Sequence, residues 1–177
     1  MSESNINRQI IALSSTVGKK KTELIKARIL DINPTCKVTV FDTFYLPENA
    51  DDIDLTTYSF VVDAIDTVSA KLEIVQRCAN NDIPVISCMG TANHMDLSAF
   101  KIVDVYDTNT CPLARVMRRE CSKRSIPKGK VKVLFSTEQP NKVFASDEGK
   151  LAPCSTIFCP ATAGLLIADA VVKTLIR

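Results

Sequence analysis

The chain has 177 residues, 46% of them hydrophobic and 24% charged, with a formal net charge of +2. That length suits one domain with its own core, and that balance excludes disordered and fibrous chains. No apolar run reaches the roughly 18 residues of a membrane-spanning helix, and the opening MSESNINRQ lacks the apolar core of a signal peptide. A cytoplasmic protein with no membrane attachment is expected.

After the polar start, residues 17–33 read as a helix with an apolar stripe of Ile25, Ile29 and Ile32, stopped by Asn33-Pro34. Residues 37–42 alternate around Val38 and Val40 as a short strand. Residues 59–64 (SFVVDA) form a continuous apolar run ending in an acid, the pattern of a buried parallel strand. Residues 67–81 follow as a helix with Val68, Leu72, Val75 and Ala79 on one face, and residues 83–88 (IPVISC) as another buried strand. Residues 101–106 and 130–135 read as later strands, and residues 112–124 between them as a helix with proline in its first turn. Residues 160–176 close the chain as a helix whose Leu165, Ala168, Val172 and Leu175 are expected to face inward. Strand, helix and strand in alternation predict one α/β domain over residues 1–177.

Seven cysteines and one histidine are present, and no two cysteines are spaced C-x-x-C, so buried reduced thiols are the simplest reading. Five glycines, none within three residues of another, leave no glycine-rich phosphate loop in the chain. The charge is unevenly placed. Residues 42–66 hold seven acids and no base, whereas residues 115–132 hold eight bases against Glu120 alone. Within that stripe Arg115, Arg118, Arg119, Lys123 and Arg124 are candidates to grip a phosphate backbone, against the alternative of a solvated helix face. No aromatic residue interleaves them, so base stacking there is not expected.

Two further groups point to chemistry. Asp66 follows a buried strand, where open α/β sheets bind ligands and where an acid can hold a metal on a phosphate; the alternative is a helix cap. Asp63, just before it, reads as a capping or solvated acid. Arg8 offers a fork for a phosphate and Lys21 a point charge near a helix start; as isolated features both are also ordinary surface residues.

The order of S-N-I-N-R-Q-I at 4–10, T-V-G-K-K-K at 16–21 and D-A-I-D at 63–66 resembles the ThiF/MoeB/HesA superfamily of ATP-dependent carboxylate-adenylating enzymes. The stretches at 63–71, 87–96, 112–120, 135–140 and 158–168 resemble its tRNA threonylcarbamoyladenosine dehydratase branch. The resemblance implies a Rossmann-like three-layer α/β domain with a mixed sheet. It implies that Asn5, Arg8 and Lys21 bind ATP phosphates, that Asp66 holds Mg2+, and that Arg8, Lys21 and Asp66 carry the catalysis. It implies tRNA as partner, gripped by the basic stripe; a homodimer or higher oligomer is expected to cover the sheet edge that loss of the family's first strands would expose. The first βαβ unit of the family, with its glycine-rich turn, has no counterpart here, so a truncated form, a split gene product or a degenerate relative is expected, with weak ATP binding and an exposed sheet edge.

Ala92 and Cys111 depart from the branch pattern, which usually has glycine and aspartate there. Cys111 reads as a structural thiol and His94 as a solvated loop histidine. A sulfur-carrier-protein adenylyltransferase, with a sulfur-transfer partner, and a non-catalytic tRNA-binding or dimerising remnant are the alternative functions.

Overall fold

The computed structural model describes residues 1–141 and 154–176, so Gly149 lies outside the described residues. Two compact units are present, residues 1–44 and residues 45–177.

In the first unit, short 3-10 turns at Glu3–Asn5 and Ser14–Thr16 lead to helix α1, Lys21–Ile32. Gly18 enters the turn before α1 at φ +82°, a left-handed conformation that costs glycine little. The predicted helix therefore starts four residues late. Its stripe is not covered: Ile25 and Ile32 are 39% and 73% exposed. The expected strand at 37–42 is absent. Val38 and Val40 are half-buried and their neighbours exposed, as in a strand. A strand also needs a ladder partner, and among the described residues this segment has none.

The second unit is built on a four-stranded sheet in the order β1-β2-β4-β3, with β1 Val61–Asp63, β2 Val85–Cys88, β3 Phe100–Asp104 and β4 Lys132–Ser136. β1, β2 and β4 run parallel, with Val62 opposite Ile86 and Ser87 opposite Val133; β3 is antiparallel to β4. Side chains alternate across the sheet. Val85, Val133 and Phe135 pack with Leu72 and Val75 of α2 (Val68–Asn80) and Met117 of α3 (Pro112–Lys123). Ile86 and Leu134 point the other way, onto Cys159, Ala163 and Ile167 of α4 (Phe158–Leu175). Helices thus cover both faces of a mixed sheet, the three-layer α/β arrangement that the sequence predicts.

The stripe assigned to α4 is reversed. Its buried face is Cys159, Ala163 and Ile167, whereas Leu165, Val172 and Leu175 are 71%, 54% and 54% exposed and Ala168 is exposed too. The helix is apolar on almost every side, so periodicity alone does not select the face. With its 18 residues it is also long and apolar enough to cross a membrane, against the expectation that no segment is. One face nevertheless packs on the sheet, and Lys173 pairs with Asp169 on the other at 2.8 Å.

Candidate functional site

The carboxyl ends of β1 and β2 open onto a cavity of about 680 Å³, bounded by the turn at 64–66, the turn at 89–92 and α4 at Ala163, Gly164 and Ile167. Its wall is apolar apart from backbone groups, Thr91 and one carboxylate, Asp66. Asp66 is exposed. Thr67, not Asp66, is the N-cap of α2, and Asp66 makes no side-chain hydrogen bond or ion pair among the described residues. The capping alternative therefore fails for Asp66, and its oxygens are available to a ligand. A magnesium ion typically takes one or two protein carboxylates plus substrate phosphates and keeps several waters. A lone, exposed carboxylate fits that donor set; no cluster of three metal-binding side chains exists among the described residues.

Asp63 is neither the solvated acid nor the helix cap expected from sequence. It is 1% exposed, and its Oδ2 accepts from Lys71 Nζ at 2.9 Å and from Ser87 Oγ at 2.5 Å. Lys71 received no role in the sequence reading, although its position on the buried stripe of α2, between Val68 and Val75, is the signal: a lysine there must find a partner.

In the first unit, Asn5 is buried, its Oδ1 accepts from the Ser2 N–H at 3.3 Å, and its carbonyl receives the N–H groups of Arg8 and Gln9. Arg8 folds back, donating to the Ser4 carbonyl at 2.7 Å and to Asn7 Oδ1 at 2.9 Å. Lys21 is exposed at the first position of α1 and has no partner among the described residues, whereas its neighbour Lys20 pairs with Asp42.

The basic stripe is partly self-neutralised. Lys123 and Arg124 reach Glu120 at 2.9 and 3.0 Å and Arg119 reaches it at 3.3 Å. Hydrogen bonds from Lys123 and Arg124 draw the Glu120 carboxyl down to about 2. Arg118 turns inward, donating to the Thr108 carbonyl at 2.5 Å and to its Oγ1 at 2.9 Å. Lys128 and Lys130 pair with Asp107 and Asp82. Arg115 is exposed and without a partner among the described residues.

Of two loop residues read from the sequence, His94 differs from expectation and Cys111 agrees with it. His94 is 6% exposed, its ring edge-on to Phe100 and its Nδ1 3.6 Å from Glu138. Glu138 is held below the usual carboxylate range, first by the backbone N–H groups of Asp96 and Met95. Cys111 is buried just before α3, as a structural thiol should be.

Parallel strands covered on both faces, with a cavity and an exposed carboxylate at their carboxyl edge, define an open-sheet α/β protein, a class whose ligands sit beyond the strand ends. The sequence profile of the ThiF family matches residues 1–177. The chain belongs to that family. It is 40% identical over 185 residues to a tRNA threonylcarbamoyladenosine dehydratase of Bacillus subtilis, covering 98% of this chain and 72% of the relative. It spans about half, 54% and 52%, of the like-named Haemophilus influenzae and Escherichia coli proteins. Among solved structures, Escherichia coli tRNA N6-threonylcarbamoyladenosine dehydratase in complex with AMP superposes with a TM-score of 0.88 at 32% identity, covering 99% of this chain and 72% of that one. The same enzyme in complex with ATP gives a TM-score of 0.73 at 30% identity, covering 98% and 74%.

Proposed function

We propose that this chain takes part in ATP-dependent adenylation of a carboxylate, that of threonylcarbamoyladenosine in tRNA, followed by cyclising dehydration. The observation that carries the reading is the unengaged Asp66 carboxylate at the mouth of the cavity, in a chain whose 40%-identical relative is named for that reaction. The substrate carboxylate attacks the α-phosphorus of ATP, the bond to the bridging β-phosphate oxygen breaks, and pyrophosphate leaves. Closure of the acyl-adenylate to the cyclic form then expels AMP.

Both reactants are anions, so the protein's task is to offset their repulsion. Asp66 would hold Mg2+, which supplies positive charge to the phosphates when bound. Asn5, Arg8 and Lys21 are proposed as phosphate ligands; Lys21 has no partner among the described residues, and Arg8 would release Ser4 and Asn7 to reach a phosphate.

tRNA is the proposed macromolecular partner, approached through α3, where Arg115 has no partner among the described residues and Arg119, Lys123 and Arg124 share one carboxylate. A homodimer is proposed from the exposed Leu165, Val172 and Leu175 of α4 and from β1, an edge strand whose Val62 is 46% exposed; uncovered edges of this kind recruit partners. The cytoplasm is the proposed location.

The second reading is a non-catalytic tRNA-binding or dimerising relative, which the exposed Arg115 on α3 would serve equally well. Release of AMP from ATP in the presence of modified tRNA separates the two: tRNA binding with no AMP supports the second. AMP release driven by a sulfur-carrier protein, with a sulfur-transfer partner, would instead place the chain among the carrier adenylyltransferases.

A further inference from the structure

One buried side chain ties the two turns of the cavity together, and the adenylation reading gives it no role. Lys71 is 1% exposed. Its Nζ donates to Asp63 Oδ2 at 2.9 Å, to the Cys88 carbonyl at 2.8 Å and to Ser87 Oγ at 3.4 Å, which uses all three ammonium protons. Asp63 is equally engaged: Oδ2 also accepts from Ser87 Oγ, and Oδ1 accepts from the Ile65 N–H at 3.1 Å.

One of these bonds leaves the strands and another reaches the last residue of β2. The Ile65 N–H belongs to the turn that carries Asp66, and Cys88 ends β2 directly before the turn at 89–92. Both turns line the cavity; the first is bonded to the ion pair directly, and the second starts one residue after a carbonyl bonded to it. Lys71 and Asp63 are also the two charged residues buried in the second unit among its described residues. Stability alone does not account for such a pair, because well-packed apolar residues of similar volume are often as stabilising or more so. Its placement at the ligand edge of the sheet does: an ammonium with three fixed acceptors defines distances that methylene groups would leave free.

We infer that Lys71 is a positioning residue: through Asp63 and the Cys88 carbonyl it fixes the turns at 64–66 and 89–92 against each other and so sets where the Asp66 carboxylate stands at the cavity mouth. The inference rests on the adenylation reading for its catalytic consequence and on the hydrogen bonds above for its structural one.

The test is the neutral pair Lys71→Met/Asp63→Asn, which keeps volume but removes the strut. Thermal melting first establishes that the variant folds cooperatively. Amide hydrogen exchange is then expected to rise tenfold or more at residues 64–67 and 89–92, with β4 unchanged. The Mg2+ concentration for half-maximal AMP release is expected to rise at least fivefold, a shift that a purely structural residue would not produce in a folded variant. Unchanged exchange in both turns overturns the inference whatever the catalysis. If the parent chain releases no AMP, the adenylation reading falls, and the exchange measurement still decides the strut. Should the double variant not fold, Ser87→Ala removes the 2.5 Å bond to Asp63 and keeps the ion pair; faster exchange at 64–67 supports the strut and unchanged exchange overturns it.

Discussion

Replacing Lys71 alone with methionine strands a carboxylate. Asp63 keeps the Ser87 hydroxyl and the Ile65 N–H, but the ion pair at 2.9 Å is gone and neither side chain of the pair reaches solvent, with side-chain exposures of 1% and 0%. Breaking a buried pair from one side costs about 3–5 kcal/mol, because the remaining charge is left uncompensated. At about 2–4 °C per kcal/mol for a chain of this size, melting should fall by roughly 6–20 °C. Lys71→Met/Asp63→Asn should recover most of that loss, and the cycle closed by Asp63→Asn alone gives the coupling directly. Urea titration followed by circular dichroism is the assay, with the slope unchanged if only the folded state is affected. A loss below about 1 kcal/mol for Lys71→Met, the range of an exposed pair, would refute the buried geometry on which the argument depends.

Three further outcomes are expected. Asp66→Asn should cut AMP formation by about 100-fold, the scale of losing one electrostatic stabiliser of a phosphoryl transition state, while leaving the melting temperature unchanged because the carboxylate has no partner among the described residues; a stability loss would mean it has a structural role instead. Arg115→Ala should weaken tRNA binding and lower the salt slope by about 1, whereas Arg118→Ala should loosen the Thr108 contact and lower stability, which filter binding and melting curves separate. Burial pushes the thiols of Cys78 and Cys121 up to about 11, from an ordinary value of 9.0. Their contribution to stability is therefore complete below about pH 9 and lost as the pH rises toward 11, since the unfolded chain ionises first; Cys121→Ala should flatten that decline in denaturation midpoints measured across the range.

Much of the second unit was legible because its signals are local. The run SFVVDA, the stripe of α2 and the proline that opens α3 each place an element to within about two residues of where it forms. Asp66 was legible as a ligand-edge acid for the same reason. What the sequence left open depends on contacts far along the chain. Lys71 meets Ser87, 16 residues away, and only the parallel register of β1 and β2 explains a lysine in a core stripe. Asp63 looked solvated because a lone acid beside a turn usually is. His94 is buried by Phe100 and faces Glu138, 44 positions on, which no loop pattern announces. In α4 the apolar residues encircle the helix, so its inward face is chosen by Ile86 and Leu134 of the sheet, not by its own period. The expected strand at 37–42 shows the converse: alternation is a property of the segment, but a ladder belongs to a pair.

The central claim is tested most directly by incubating the chain with ATP, Mg2+ and tRNA that either carries threonylcarbamoyladenosine or lacks it, and measuring AMP together with the cyclised nucleoside. The account predicts AMP release, slow but dependent on the modified tRNA, in step with cyclic product and lost in Asp66→Asn. AMP release that ignores the modification, or follows a carrier protein instead, would contradict it.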